Sequence, residues 1–357
     1  MGISPDVLAS ALNELMPSYS ELFVKWHPLL EKILEGGNMA RDGALKGPKR
    51  EFAVVTGGPG TVTEIATGTE IIAGGRSQNA YRGNVIAPRL IYAFDVPGKD
   101  LAEANGAQDL ARILQHYPEL ALADFHDRIS NQLGSGNGNQ VGGFATLNGQ
   151  TTFTPQGETR QGFLQFLTPT AQAAGALSIH GLAQASVSGW FNQYQDISSF
   201  ATNGRTQLRK AYYTASRQGK TMGPVDLMIG DEASYLNYIE DLDDQVRVTK
   251  VEGDKGPAQV RQGVKFLDAD FYLDDSIDVA QFTGVAADGV IYGIKSPTWH
   301  LFTLGHDSQK ETKGDFALRG PFRLPDQDMF RYELVLMMGL HTTQLRANFA
   351  VTGAATP

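Results

Sequence analysis

Residues 206–242 read TQLRKAYYTASRQGKTMGPVDLMIGDEASYLNYIEDL, and the organisation of the chain is most legible outward from this stretch. Leu208, Ala211, Tyr212 and Ala215 recur at three- and four-residue spacing, which predicts a helix over 206–218 with one apolar side. Gly219-Lys220-Thr221 looks like the end of a phosphate-binding loop. That motif needs a glycine five positions earlier, where Thr214 stands, and a strand before it rather than a helix. The tripeptide therefore reads as a helix C-cap. Charge changes sign across the stretch. Between 197 and 220 there are five basic residues (Arg205, Arg209, Lys210, Arg217 and Lys220) and no acid. Residues 231–278 hold 13 acids and 5 bases, nearly the whole excess behind the net charge of −9.

Upstream, residues 101–133 carry the strongest helical signal, with Leu110, Ile113, Leu114, Tyr117, Leu120, Phe125, Ile129 and Leu133 at helical spacing. At about 1.5 Å per residue such a helix runs roughly 50 Å, too long for an ordinary compact domain. Pro118 kinks it, and a glycine-rich loop from Gly134 to Gly143 stops it. From 51 to 97 the texture is β: a long two-stranded excursion with turns at Gly57-Gly58-Pro59-Gly60 and Gly74-Gly75 and a return run over 84–96. An isolated ribbon of that kind is marginal in water, so it must lie on something. Residues 4–35 read as interrupted amphipathic helix, with Leu22, Phe23, Trp26, Leu29, Leu30 and Ile33 resuming after Pro17 and Gly36-Gly37 closing it. A polar, basic link follows over 38–50.

Downstream, strands are expected over 264–273 and 289–304. The tail carries a long alternating strand: Phe330, Tyr332, Leu334, Leu336, Met338 and Leu340 point one way, and Arg331, Glu333 and His341 the other. No internal repeat is present.

Composition excludes several classes. With no cysteine, disulfides, zinc–thiolate sites, iron–sulfur clusters and thiol catalysis are all out. The net charge argues against a general nucleic-acid binder, which is normally basic. No signal peptide opens the chain, and no apolar run reaches the roughly 18 residues of a membrane span, so a soluble product made in the cytoplasm is expected. Glycine is in excess, 40 of 357 residues against about 7% in average usage, which points to turns and close backbone approaches.

Catalytic and metal chemistry was sought and no constellation survives. The loop at Gly134, Gly136 and Gly138 has Asn139 where a dinucleotide fingerprint needs glycine, and it follows a helix. Asp268, Asp270, Asp274, Asp275 and Asp278 fail the EF-hand spacing, with Leu273 at the glycine position and Val279 at the glutamate position; a solvated strand edge is the expectation. Histidines 27, 116, 126, 180, 300, 306 and 341 are scattered and form no metal-binding pair. Trp26, Trp190 and Trp299 read as core or interface anchors. No catalytic, cofactor-binding or metal-ligating residue is assigned.

The order of these segments resembles the major capsid protein of tailed bacteriophages, the Hong Kong 97 fold, over about residues 40–350. The closest local likenesses are 120–143, similar to the end of the family's spine helix, and Gly223-Pro224-Val225-Asp226-Leu227-Met228-Ile229-Gly230. The latter resembles the step from the second helix into the axial domain and is followed by a helix over 232–242. Gly289-Val290-Ile291-Tyr292-Gly293 is similar to the strand near that domain's exit.

The resemblance implies an α+β chain divided into an N-terminal arm (1–50) and an extended loop (51–98) lying over a neighbouring subunit. A peripheral domain (99–222) with spine helix 101–133, an axial domain (223–309) and a return to the peripheral domain (310–357) follow. It implies a structural, non-enzymatic subunit assembling with itself as hexamers and pentamers of an icosahedral shell around phage double-stranded DNA. Such a virion protein is made in the cytoplasm of a bacterial host, uses no cofactor and no membrane, and binds DNA without sequence specificity. A thin subunit of this kind needs closed symmetric assembly to cover its helix and ribbon.

Some family members cross-link through a lysine in the extended loop, but no lysine lies between Lys49 and Lys99. Arg76, Arg82 or Arg89 pairing with acids on a neighbour is the expected substitute. With only about 40 residues ahead of the fold, the expectation is a separate scaffolding protein or an already processed sequence, the initial Met arguing against the latter; a portal and a decoration protein are expected as further partners. The rival readings are an encapsulin-type compartment enclosing cargo enzymes and a metabolic enzyme with an unrecognised site.

Overall fold

The computed structural model describes residues 28–42, 50–55, 80–85, 89–99, 120, 123–124, 178–179, 182–183, 187, 189–197, 199–219, 223–243, 264–274, 277, 289–304, 316–323, 325 and 328–355. Of the helix expected over 101–133, only Leu120, Ala123 and Asp124 are among them, all three helical. The remainder of that helix, the glycine-rich loop after it, Trp26 and the rest of the arm before residue 28 lie outside the described residues.

Helix α1 (Pro28–Glu35) buries Leu29, Leu30 and Ile33, as their spacing predicts. It ends at the expected glycine pair. Gly37 takes φ +69°, and the amides of Gly37 and Asn38 donate to the carbonyls of Leu34 and Ile33, a closure that needs a left-handed residue. The link expected over 38–50 opens instead with a strand, β1 (Met39–Asp42), whose sequence MARD carries no β signal. Main-chain hydrogen bonding, open to any residue but proline, recruits it.

Strands β2 (Arg50–Val55) and β3 (Ala80–Val85) pair antiparallel as the arms of the expected excursion; residues 56–79 lie outside the described residues. The return run does not stay in the ribbon, because β4 (Arg89–Pro97) leaves it for another sheet. A short hairpin, β5 (Ser178–Ile179) and β6 (Leu182–Ala183), precedes β7 (Gln193–Asp196).

A π-helical turn at Phe200–Gly204 leads into α2 (Arg205–Gln218), which buries Leu208, Ala211, Tyr212 and Ala215. These are the four residues its spacing singled out. Gly219 caps the helix, its amide donating to the Ala215 carbonyl. Then come β8 (Leu227–Gly230), α3 (Glu232–Asp243), β9 (Val264–Phe266), β10 (Ala269–Leu273) and β11 (Val290–Ile294). The chain finishes with β12 (Trp299–Leu304), β13 (Phe316–Arg323), β14 (Met329–Thr342) and β15 (Phe349–Thr352).

Two of the expected strands are each broken in two. The run 264–273 folds back on itself through a turn in which Leu267 adopts φ 55°. The run 289–304 divides at a 3-10 turn, Ser296–Thr298, where Pro297 has no amide to give a ladder. Its halves belong to different sheets. One sheet has six strands in the order β7-β15-β11-β8-β10-β9. The other has five, in the order β1-β12-β14-β13, with β4 also paired to β14.

Strands β8, β11 and β15 are buried at every position, so their sequences LMIG, VIYGI and FAVT are near-continuous apolar runs. One core packs α2 and α3 on this sheet, with Leu208, Tyr212, Met228, Tyr238, Phe271 and Phe349 among its members. Helix α2 and β15 share this core with residues of 225–291, and β7 joins the same sheet.

Part of the glycine excess has a specific use. Gly83, Gly293 and Gly339 stand directly opposite Phe52, Phe349 and Phe302 on neighbouring strands. A Cβ on each glycine would collide with that phenylalanine ring. The ring lies across the bare glycine backbone, an aromatic–glycine pairing that packs a strand position lacking a side chain.

Candidate functional site

Two short segments, 295–298 and 343–348, carry the chain between the two sheets, and these two crossings are bonded to each other. Asn348 is fully buried. Its Oδ1 accepts from the Lys295 amide at 2.7 Å and from Trp299 Nε1 at 3.0 Å. Its Nδ2 donates to the carbonyls of Gln344 at 2.9 Å and Leu345 at 3.3 Å. From the other side, the Asp226 carboxylate accepts from the Ser296 amide at 2.8 Å and from the Ser296 hydroxyl, while Lys295 Nζ donates to the Pro224 carbonyl. The junction thus ties the step at 223–226 to both crossings. A buried polar cluster satisfied in this way rigidifies its surroundings and fixes their geometry.

Two further buried carboxylates serve the same body. Asp231 caps α3, accepting from the Ser234 amide at 3.2 Å and hydroxyl at 2.6 Å, and it also accepts from the Val290 amide at 2.7 Å. Asp270 lies 3.2 Å from Lys32 of α1 and 3.6 Å from Lys265. Burial pulls the Lys32 ammonium down, but the hydrogen bond and charge of Asp270 outweigh it and leave its pKa raised. The expected solvated acidic edge is therefore corrected at two positions: Asp270 and Asp274 are buried, Asp270 beneath Lys32 and Lys265. Asp275 and Asp278 lie outside the described residues. Burial also pushes the phenols of Tyr212 and Tyr238 up to about 12, so both stay neutral hydrogen-bonding groups.

The second feature is the seat of the ribbon. His341 on β14 is the cross-strand partner of His300 on β12, with the rings stacked at 5.2 Å. Phe52 of the ribbon lies 4.2 Å from the His341 ring. The alternation that placed His341 with the outward residues is corrected here: it is 3% exposed, covered by the ribbon that had to lie on something. Arg331 does stand on the outer side, making two hydrogen bonds to its cross-strand partner Asp95 at 2.8 and 2.9 Å. That contact holds the Asp95 carboxyl below the usual carboxylate range. In the ribbon Arg82 pairs with Glu51 of the adjacent strand at 3.0 Å; Arg76 lies outside the described residues.

No catalytic arrangement emerges among the described residues, and no group of three or more His, Asp or Glu side chains there could hold a metal ion. Trp190 and Trp299 are buried anchors. No described helix is long and apolar enough to cross a membrane. What the surface does offer is apolar area. Ile91, Leu120, Tyr213, Leu236, Leu267 and Phe322 are between 43% and 58% exposed. Sequence patterning missed these, since it marks apolar residues as inward.

No protein-family model matches the sequence, and no curated protein matches it. Solved structures do. The capsid asymmetric unit of cyanophage A-1(L) aligns at a TM-score of 0.59 and 12% identity, covering 90% of this chain and 92% of that one. The encapsulin of the holo-SrpI complex from Synechococcus elongatus PCC 7942 aligns at 0.49 and 9% identity, over 88% and 84%. A chain of Microbacterium phage Oxtober96 aligns at 0.48 and 10%, over 90% of each. The fold assignment rests on the first of these. The chain has the α+β fold of a tailed-phage capsid subunit, the Hong Kong 97-like class expected from the order of its segments.

Proposed function

We propose, from this fold, that the chain is the repeated structural subunit of an icosahedral phage shell, assembling as hexamers and pentamers around double-stranded DNA. The observation that carries the reading is the match to a phage capsid subunit across nine-tenths of both chains. In this reading the body built on the six-stranded sheet, including β7, α2 and β15, lies around the symmetry axes. The five-stranded sheet, together with the helix expected over 101–133, forms the peripheral part, and the β2–β3 ribbon reaches over a neighbour. The junction at Asn348 holds the two parts at a set angle, which a curved closed shell requires of every copy. The subunit acts without catalysis or cofactor, meets packaged DNA without reading its sequence, and works with a separate scaffolding protein, a portal and a decoration protein.

Electron microscopy of the chain expressed alone and with its genomic neighbours tests this. Closed shells tens of nanometres across are expected, filled with DNA in the infected host. Shells filled with an enzyme would instead make it a cargo compartment, and small oligomers in every preparation would overturn the shell reading.

A further inference from the structure

Helices α2 and α3 pack on one core yet carry opposite charge on their solvent faces. On α2 the exposed residues are Thr206, Arg209, Lys210, Tyr213 and Arg217, which fall at helical spacing along one stripe opposite the buried Leu208, Ala211, Tyr212 and Ala215. On α3 the exposed residues are Glu232, Ala233, Leu236 and Glu240, again one stripe. Each stripe has a large apolar side chain at its centre: Tyr213 is 58% exposed and Leu236 is 48% exposed. Among the described residues Arg209, Lys210, Arg217, Glu232 and Glu240 make no ion pair. The α2–α3 contact inside the chain is made by other residues, Arg205 with Asp241.

We infer that these two stripes are the two halves of one contact between copies of this chain, the basic face of α2 on one subunit meeting the acidic face of α3 on the next. This rests on the proposed shell function and names a surface through which subunits meet. Charge complementarity carries it. The segment 197–220 is free of acids and 231–278 is strongly acidic, so each stripe repels its own kind and attracts the other. An apolar centre inside a charged rim is the anatomy of a specific interface. The contact is heterologous, because different patches meet, and such a contact closes into rings when its rotation permits. A second copy fits better than nucleic acid, since the chain as a whole is acidic at −9 and would repel a polyanion.

The test is a charge exchange on the full chain, read by particle yield in electron microscopy and sedimentation at low and high salt. Arg209→Glu with Lys210→Glu reverses the first face, and Glu232→Lys with Glu240→Lys reverses the second. All four positions are exposed, so circular dichroism of the soluble chain is expected to match the unaltered protein. Each pair of changes alone should cut particle yield by an order of magnitude or more. The chain carrying all four should assemble again. The inference is overturned if the single-face variants assemble like the parent. It is overturned equally if the four-fold variant fails while folded. Normal shells that lose only DNA retention on reversal of α2 would also sink it, assigning that face to nucleic acid. In all three cases the shell reading stands. A parent chain that forms no shell under any condition removes the shell reading and this inference with it.

Discussion

The six-stranded body and the ribbon region solve the same problem, burying β structure, in opposite ways. In the body, β8, β11 and β15 are covered on both faces by residues of the same chain. In the ribbon region, Glu51 and Ala53 are exposed and Val54 buried, and β4 leaves Ile91 half exposed while Phe94 and Val96 are buried. One face is seated, through Phe52 on His341, and the other is left open. The body is a finished core. The ribbon and β4 leave one face open among the described residues.

This contrast predicts a ranking of effects. Phe271→Ala, which empties a fully buried site in the body, should cost about 3–5 kcal/mol in urea unfolding. Ile91→Ala on the open face should stay within about 0.5 kcal/mol. Comparable losses at both sites would erase the distinction. Gly293→Ala should cost about 3 kcal/mol by overpacking, because the Phe349 ring against it is fully buried. Gly83→Ala meets the partly buried Phe52 ring, which is less enclosed than Phe349, so its melting temperature should fall less. Asn348→Ala strands the Lys295 amide and Trp299 Nε1, on the order of 2 kcal/mol. It should also uncouple the sheets, so hydrogen exchange in β12 and β14 should accelerate relative to β8 and β11. Uniform acceleration would show that the junction does not separate two units.

The smallest effect belongs to Asp95. Its folded pKa is depressed, so the stabilisation is present above the unfolded value of about 3.9 and is lost as pH falls through the lower folded value. Asp95→Asn should flatten the acid limb of a pH series of thermal melts below about pH 4. A limb of unchanged slope would leave the Arg331 pair with no part in ribbon-side stability.

Local periodicity made α2 legible down to its four buried side chains, and capping chemistry made the stop at Gly37 and the C-cap at Gly219 legible too. These features depend on residues within a few positions of one another. β1 was not legible, because a strand recruited by main-chain hydrogen bonds leaves no side-chain pattern. Nor was the burial of Asp270, whose Lys32 partner stands in another element, or the stacking of His300 on His341, which requires two strands to pair. The exposed halves of the two charged stripes were visible as a charge asymmetry along the chain, but only the helix orientations showed which charges face solvent.

The sequence by itself determined the absence of cysteine, helices α1, α2 and α3 and the segregation of charge, since composition and short-range spacing are local properties. Tertiary structure alone decided which strands share a sheet, where the run 289–304 changes sheets, and which polar groups are buried. Those outcomes turn on contacts between residues far apart in sequence. A hydrogen-bond ladder or a packed ring selects such partners by geometry, and no short window of sequence records it.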